Sequence, residues 1–305
     1  MADTGLGQTW PGVLGDPPGS AGGTNQENSW WVDAFTNRMH HLAQQKYSKL
    51  RMCVRTADCR ANTYSFERLA PSDAVEKTTR HTTTPILDLS HSRRKVVMKD
   101  LQWADLVDQE DIRRMLVDPV GAYTTNAGMS MGRAWDDLVI AAFGGVAVDG
   151  AGVDVDYLAA QTIAEGTTAF SLDKFLSAKR IMDDNDVDQD GRYLAISPEE
   201  EQALLNLTEI TSTDYNMKPT LVEGRVRRFL GCDIIISTRL PVVTTVRDSF
   251  MWQKDAVGLA VNTDTKVRTS ERDDLSYAMQ VYAQFTANAT RIDDAGVVKI
   301  QNVVA

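Results

Sequence analysis

Along the carboxy-terminal fifth of the chain, apolar and polar side chains alternate for longer than an ordinary strand allows. From Leu275 to Ala289 the odd positions are Leu275, Tyr277, Met279, Val281, Ala283, Phe285, Ala287 and Ala289; the even ones are Ser276, Ala278, Gln280, Tyr282, Gln284, Thr286 and Asn288. Period two predicts a strand with one buried face. It lasts 15 residues where about five or six is usual, so it demands an elongated sheet or a partner to cover it. A second stripe has the helical period. Val120, Tyr123, Ala127, Met131, Ala134, Leu138 and Ala142 recur at three- and four-residue steps, predicting one long helix from Pro119 to Phe143 that Gly144-Gly145 stops. The odd face of the strand is expected to lie on this helical stripe.

The remaining pattern is more broken. Residues 1–29 are rich in Gly, Pro, Ser, Thr and Asn, which predicts an extended arm rather than a packed core. Trp30 and Trp31 open a predicted helix, Trp30 to Lys49, with Trp31, Ala34, Phe35, Met39 and Leu42 on one face. From Leu50 to Lys99 short β-like runs predict a long two-stranded excursion: Arg51–Val54 and Thr63–Phe66 on one side, Pro85–Leu89 and Val96–Met98 on the other. Leu101 to Val117 has the spacing of a helix that halts before Asp118-Pro119. Beyond Gly150 a helix-rich block, Tyr157 to Met182, leads through the acidic turn 183–191 into a strand, Arg192–Ile196. Ser197-Pro198-Glu199-Glu200 starts another helix with a capping box. A further strand, Cys232–Ile236, ends at Leu240-Pro241, making roughly 150–255 a mixed α/β block.

Composition narrows the classes. The chain has 305 residues, 43% hydrophobic and 24% charged, and a net charge of −10, values of a folded soluble protein that argue against a dedicated nucleic-acid binder. An acidic surface is compatible with nucleic acid as a mere neighbour. Three cysteines cannot all pair, and the amino terminus has no charged-then-apolar leader, so a reducing cytoplasm is expected. The longest apolar run, Leu138 to Val148, is too short for a bilayer span of about 20 residues. One local departure stands out: between Lys46 and Lys99 there are twelve Lys and Arg against five Asp and Glu, and the stretch includes the run Arg93-Arg94-Lys95. Such a run is either a solvated face or complementary to an acidic surface on another copy.

Chemical motifs fail on their context. Gly128-Met129-Ser130-Met131-Gly132 matches G-x-S-x-G, but no strand precedes it and all four histidines come earlier in the chain, against the hydrolase order. Small residues that let a helix pack closely are the better account. Asp186-Val187-Asp188-Gln189-Asp190-Gly191 copies the first half of an EF-hand loop, yet the twelfth position is Ser197 instead of a glutamate. The competing function class is a calcium-binding or other interaction module using the turn at 183–190. Cys53, Cys59, His40 and His41 lack zinc spacing. No phosphate loop, zincin motif or paired-carboxylate constellation is present, so no enzyme, cofactor or metal is expected.

The order of features nevertheless resembles a known family. Gly191-Arg192-Tyr193-Leu194-Ala195-Ile196-Ser197-Pro198 after an acidic turn, Gly231-Cys232-Asp233-Ile234-Ile235-Ile236-Ser237 ending in Leu240-Pro241, and Ala256-Val257-Gly258-Leu259-Ala260 before the long strand resemble the major capsid proteins of tailed bacteriophages, the family with the Hong Kong phage capsid fold. The resemblance implies an α+β subunit with five parts. These are an amino-terminal arm and short helix (1–45), an extended β-hairpin loop (46–100), a peripheral domain with a spine helix (101–150), a mainly axial α/β domain (151–255) and a return to the peripheral sheet (256–305). It also implies hexamers and pentamers of an icosahedral shell around double-stranded DNA, a separate scaffolding protein, a portal and room for a decoration protein. Such a subunit would reside in the virion and assemble in the bacterial cytoplasm. No lysine, asparagine or acid of the family's covalent cross-link carries over, so a non-covalent shell is expected. Trp30, Trp31, Arg93, Arg94 and Lys95 are the expected contacts between subunits. Reversing Arg93 and Arg94 to Glu is expected to block assembly and leave the monomer folded.

Overall fold

A computed structural model describes residues 41–115, 119–166, 168–206 and 227–304. In chain order its elements are β1 (Arg55–Asp58), β2 (Thr63–Leu69), β3 (His91–Val97), β4 (Lys99–Val107), α1 (Gln109–Arg114), α2 (Pro119–Gly144), β5 (Ala147–Asp149), β6 (Asp154–Val155) and β7 (Thr162–Ile163). Then come α3 (Leu172–Asp184), β8 (Arg192–Ile196), α4 (Pro198–Leu205), β9 (Arg228–Phe229), β10 (Cys232–Ile236), β11 (Val242–Val243), β12 (Val246–Gln253), β13 (Val257–Arg272), β14 (Ala278–Arg291) and β15 (Val297–Val303).

The two long stripes meet. The four-stranded sheet β1-β13-β14-β4 backs onto α2. Val281, Ala283, Phe285, Ala287 and Ala289 of β14 share one buried cluster with Ala127, Met131, Trp135, Leu138, Val139 and Phe143 of α2. The Trp135 and Phe285 rings stack with centroids 4.3 Å apart. At 26 residues and 1.5 Å each, α2 is about 39 Å long, enough to support the whole sheet. Its most buried line runs through Trp135, Val139 and Phe143, one step round from the predicted Ala134 and Ala142, which pack against the edge of the same cluster. The predicted strand begins late: Tyr277 is 63% exposed, since Ser276 and Tyr277 take φ of 52° and 57° in the turn from β13.

Several predicted helices are shorter than expected among the described residues. Lys99–Val107 is the strand β4, held in register by β14 from Lys99 opposite Ala287 to Val107 opposite Met279. Leu101 and Trp103 join the core from alternate positions, a period two that the acidic residues obscured. Only Gln109–Arg114 of that stretch is helical. Residues 41–50 carry no regular element, so the helix predicted over Trp30–Lys49 does not extend into them; Trp30 and Trp31 lie outside the described residues. Within the block 157–182 the helix starts only at Leu172, with Ser171 accepting a bond from the Lys174 N–H.

The second sheet runs β7-β15-β12-β8-β10-β9, with β11 on β12. Alternation splits its side chains between two cores: Phe250 and Trp252 face α2, whereas Met251 packs with Leu194, Ile196, Val298 and Ile300 against Phe175 and Met182 of α3. The predicted capping box of α4 is present in full. Its Glu200 carboxylate is buried and also accepts from Ser249 Oγ (2.7 Å) and Asn302 Nδ2 (2.7 Å), so the cap ties α4 to β12 and β15. Beside it, Lys174 Nζ donates to the carbonyls of Glu165, Thr168 and Gln301, each at 2.8 Å.

Strand pairing also redraws the expected domain limits. β15 does not return to the helix-backed sheet with the rest of 256–305; it pairs with β12 along seven residues, because the turn at 292–296 carries the chain across to the second sheet. β5 and β6 add to β3, making a third sheet, β2-β3-β5-β6, and β1 pairs in parallel with β13. Of the predicted two-stranded excursion, Thr63–Leu69 and His91–Val97 are the paired strands, Arg51–Cys53 is a single 3-10 turn and Pro85–Leu89 has no regular element; β3 also pairs with β5, and Phe66 packs on Ala260.

Candidate assembly surface

Beyond β2 and β3 the chain leaves the body. Residues 70–90 have no helix or strand, and every one of them is exposed. Ile86 is 94% exposed, and Leu69, Val75 and Leu87 are also uncovered. Exposed apolar side chains along a loop that nothing among the described residues covers are available for contact with another copy.

The root of this loop is by contrast tightly held. Phe66, Val96 and Met98 form a small core with Cys59, Ala260 and Ile292. A Cβ on Gly258 would come within 2.4 Å of the Phe66 ring, so the glycine makes room for the loop to seat on β13. Gly258→Ala should displace that ring and destabilise the subunit by about 1–3 kcal/mol; a denaturant midpoint unchanged from the parent would show that the seat is soft.

Alternation along β3 divides the basic run. Arg93 and Lys95 face outward, with Arg93 Nε 2.8 Å from Glu67 on the paired strand. Arg94 shares the inward parity of Val96 and is 5% exposed. Its Nη2 lies 2.5 Å from Asp294 Oδ2. Asp294 also accepts from Arg291 Nε at 2.5 Å, and Arg291 donates to the carbonyls of Phe143 (3.3 Å) and Gly145 (2.8 Å). One carboxylate thus joins the loop root to a fully buried arginine that caps α2. This alters the expected effect of reversing Arg93 and Arg94 together: a glutamate at 94 would face Asp294 inside the subunit and damage the fold. The outward bases are Arg93 and Lys95. Three adjacent basic residues hid the alternation, although the parity of Val96 and Met98 carried it.

A second seam runs along α2. The Asp136 carboxylate is fully buried and accepts from Ser48 Oγ (2.6 Å), the N–H of Lys49 (3.0 Å) and the N–H of Leu50 (3.0 Å). Arg133 Nη1 donates to Gln44 Oε1 at 2.6 Å. Gly132, the last glycine of the G-x-S-x-G match, lets the chain pass: a Cβ there would sit 3.2 Å from Ser48 N. Ser130 stands mid-helix in α2, as expected, but a Cβ at Gly128 would meet nothing within 4 Å, so of the two glycines only Gly132 allows close packing.

The acidic turn is engaged elsewhere. Arg192, 2% exposed, pairs with Asp183 at 2.6 Å and donates to the Asp188 carbonyl at 2.9 Å. Among the described residues no cluster of His, Cys, Asp and Glu is arranged to hold a metal ion. Burial pushes the thiols of Cys53 and Cys232 up to about 11, far from thiolate chemistry. No helix among the described residues is long and apolar enough to cross a membrane.

Comparison with known proteins agrees with this architecture. The family model described as phage capsid protein matches residues 28–304. The capsid structure of the cyanophage P-SCSP1u is similar with a TM-score of 0.71 at 15% identity, over 91% of this chain and 94% of that one. A Mycobacterium phage Che8 structure gives 0.69 at 14% identity over 90% and 97%. The capsid of a native GTA particle gives 0.64 at 13% over 93% and 99%. A comparison with curated proteins gives no match.

Proposed function

The chain belongs to the phage capsid protein family, and from that premise we propose that it is the major capsid protein of a tailed phage, a non-enzymatic subunit forming the hexamers and pentamers of an icosahedral shell around double-stranded DNA. Its fold is the tailed-phage capsid fold. The observation that carries the reading is the loop, a packed root bearing a tip, residues 70–90, in which every residue is exposed and Val75, Ile86 and Leu87 are left uncovered among the described residues. Laid over a neighbour, that tip buries surface between copies, and many modest contacts sum to a stable shell.

In this reading α2 with its sheet is the peripheral domain, the second sheet with α3 and α4 is the axial domain, and residues 63–97 are the extended loop. Residues 63–97 carry six Lys and Arg against four Asp and Glu, a net +2 against −12 on the rest of the chain, so loop and body attract weakly between copies. Trp30, Trp31, Arg93 and Lys95 are the proposed contacts, with Arg94 holding the loop root. Scaffolding protein, portal and a decoration protein are the further partners; the virion is the destination and the bacterial cytoplasm the place of assembly.

Electron microscopy of the purified protein, with and without a co-expressed scaffold, tests this. Shells, rings or sheets are expected; a chain that stays monomeric at every concentration overturns the reading. Arg93→Glu with Lys95→Glu should raise the concentration needed for assembly by about tenfold without changing the melting temperature. Assembly at the parent's concentration would remove those two residues from the contact.

A further inference from the structure

The helix-backed sheet has two open edges, and we propose that they pair between copies, with the distal half of β13 on one subunit receiving β4 of the next. This rests on the capsid reading and names a contact within it.

Along one edge, β1 covers only Gly258–Val261. From Lys266 to Arg272, β13 is bonded to β14 alone among the described residues. The other edge is β4, bonded among the described residues only to β14 between Lys99 and Val107. The register sets both open stretches at one height, because Met279 stands opposite both Glu271 and Val107, and Gln284 opposite both Lys266 and Gln102. Both strands run antiparallel to β14 and so parallel to each other. A copy placed alongside in the same orientation therefore offers β4 to β13 as a parallel pair.

Exposed edge strands are normally guarded against pairing, often by charge. Here the guards have opposite signs. Lys266, Arg268 and Arg272 lie on the sheet face away from α2, together with Asp100 and, one residue past Val107, Asp108. At equal height Asp108 falls beside Arg272, and Asp100 lies one diagonal step from Lys266, within reach of cross-strand pairing. Arg272 is already shared with Asp274 (2.6 Å) and Gln280 (3.1 Å), and Asp100 accepts from Thr286 Oγ1 (2.6 Å), whereas the side chains of Lys266 and Arg268 make no hydrogen bond or ion pair among the described residues. Two β13 edges brought together would set cations against cations, so the edge repels itself and accepts the acidic one. Such a contact is head-to-tail, the kind that propagates into rings.

A charge swap tests the proposal in the full chain. Lys266→Glu with Arg268→Glu, and separately Asp100→Lys with Asp108→Lys, should each raise the assembly concentration by about tenfold or more, while the four changes combined in one chain should restore it. Amide exchange in residues 266–272 should be slower in shells than in the free subunit. Double variants that assemble like the parent, a combined variant no better than the doubles, or unchanged exchange each overturn the edge pairing. Parent protein that never assembles sinks the capsid reading as well, so the two failures are told apart by the parent alone.

Discussion

Replacing Asp294 with alanine is expected to destabilise the subunit by about 3–5 kcal/mol, the cost of stripping buried cations of their counter-charge. The loss falls unequally on the two arginines. Arg291 keeps the carbonyls of Phe143 and Gly145 and the face of Tyr157, 4.8 Å away. Arg94 keeps no other ionic partner, and its Nε already lacks a hydrogen bond. The loop root should therefore loosen before the spine helix does. Thermal unfolding should move down by about 10 °C, and amide exchange should rise more in His91–Val97 than in Pro119–Gly144. Asp294→Asn, which keeps the shape and one acceptor, should fall between the two. A melting temperature within about 2 °C of the parent would mean that the carboxylate is not the joint between loop and body.

How far the sequence reveals such features depends on whether a residue's burial is set locally. The α2 stripe and the odd face of β14 were legible because each keeps one continuous buried face along its length. The capping box at Ser197 was legible because its bonds close within four residues. β4 was misread as a helix, since its acidic residues are exposed and only Leu101, Trp103 and Val107 mark the buried side. The distal half of β13 was missed because both of its faces are exposed in the subunit, which leaves no alternation to detect. The Arg94–Asp294–Arg291 joint was hidden for another reason: its members lie 200 residues apart along the chain, and nothing near Arg94 announces a partner. The loop was legible as an excursion within a basic stretch, but which of the bases on β3 point outward depended on strand register.

Asp136→Ala is the second change of large effect, at about 3 kcal/mol. A charged residue in the middle of a helix would ordinarily face solvent, yet this one is fully buried because it receives donors that have no other acceptor. Lys49 N–H and Leu50 N–H both point to Oδ1 at 3.0 Å, and Ser48 Oγ reaches the same oxygen at 2.6 Å. Hydrogen bonds to a charged acceptor are worth about 1.5–3 kcal/mol each, and buried donors left unmade cost about 1–3. Against this, alanine improves the helix by a few tenths of a kcal/mol, and removing a buried charge recovers part of its desolvation. Asp136→Asn can keep Oδ1 on the two N–H groups and loses the Oδ2 contacts to Gln45 and Lys49, so about half the effect is expected. Ser48→Ala removes one donor and should cost least, about 1 kcal/mol. Denaturant unfolding of the three variants should follow that order. The same substitution frees residues 44–50, where the chain passes from the arm to the loop, so Asp136→Ala should also assemble less readily than its stability alone dictates. An Asp136→Ala variant that unfolds within about 1 kcal/mol of the parent would show that the seam along α2 is held by Gly132 packing and Arg133 instead of by this carboxylate.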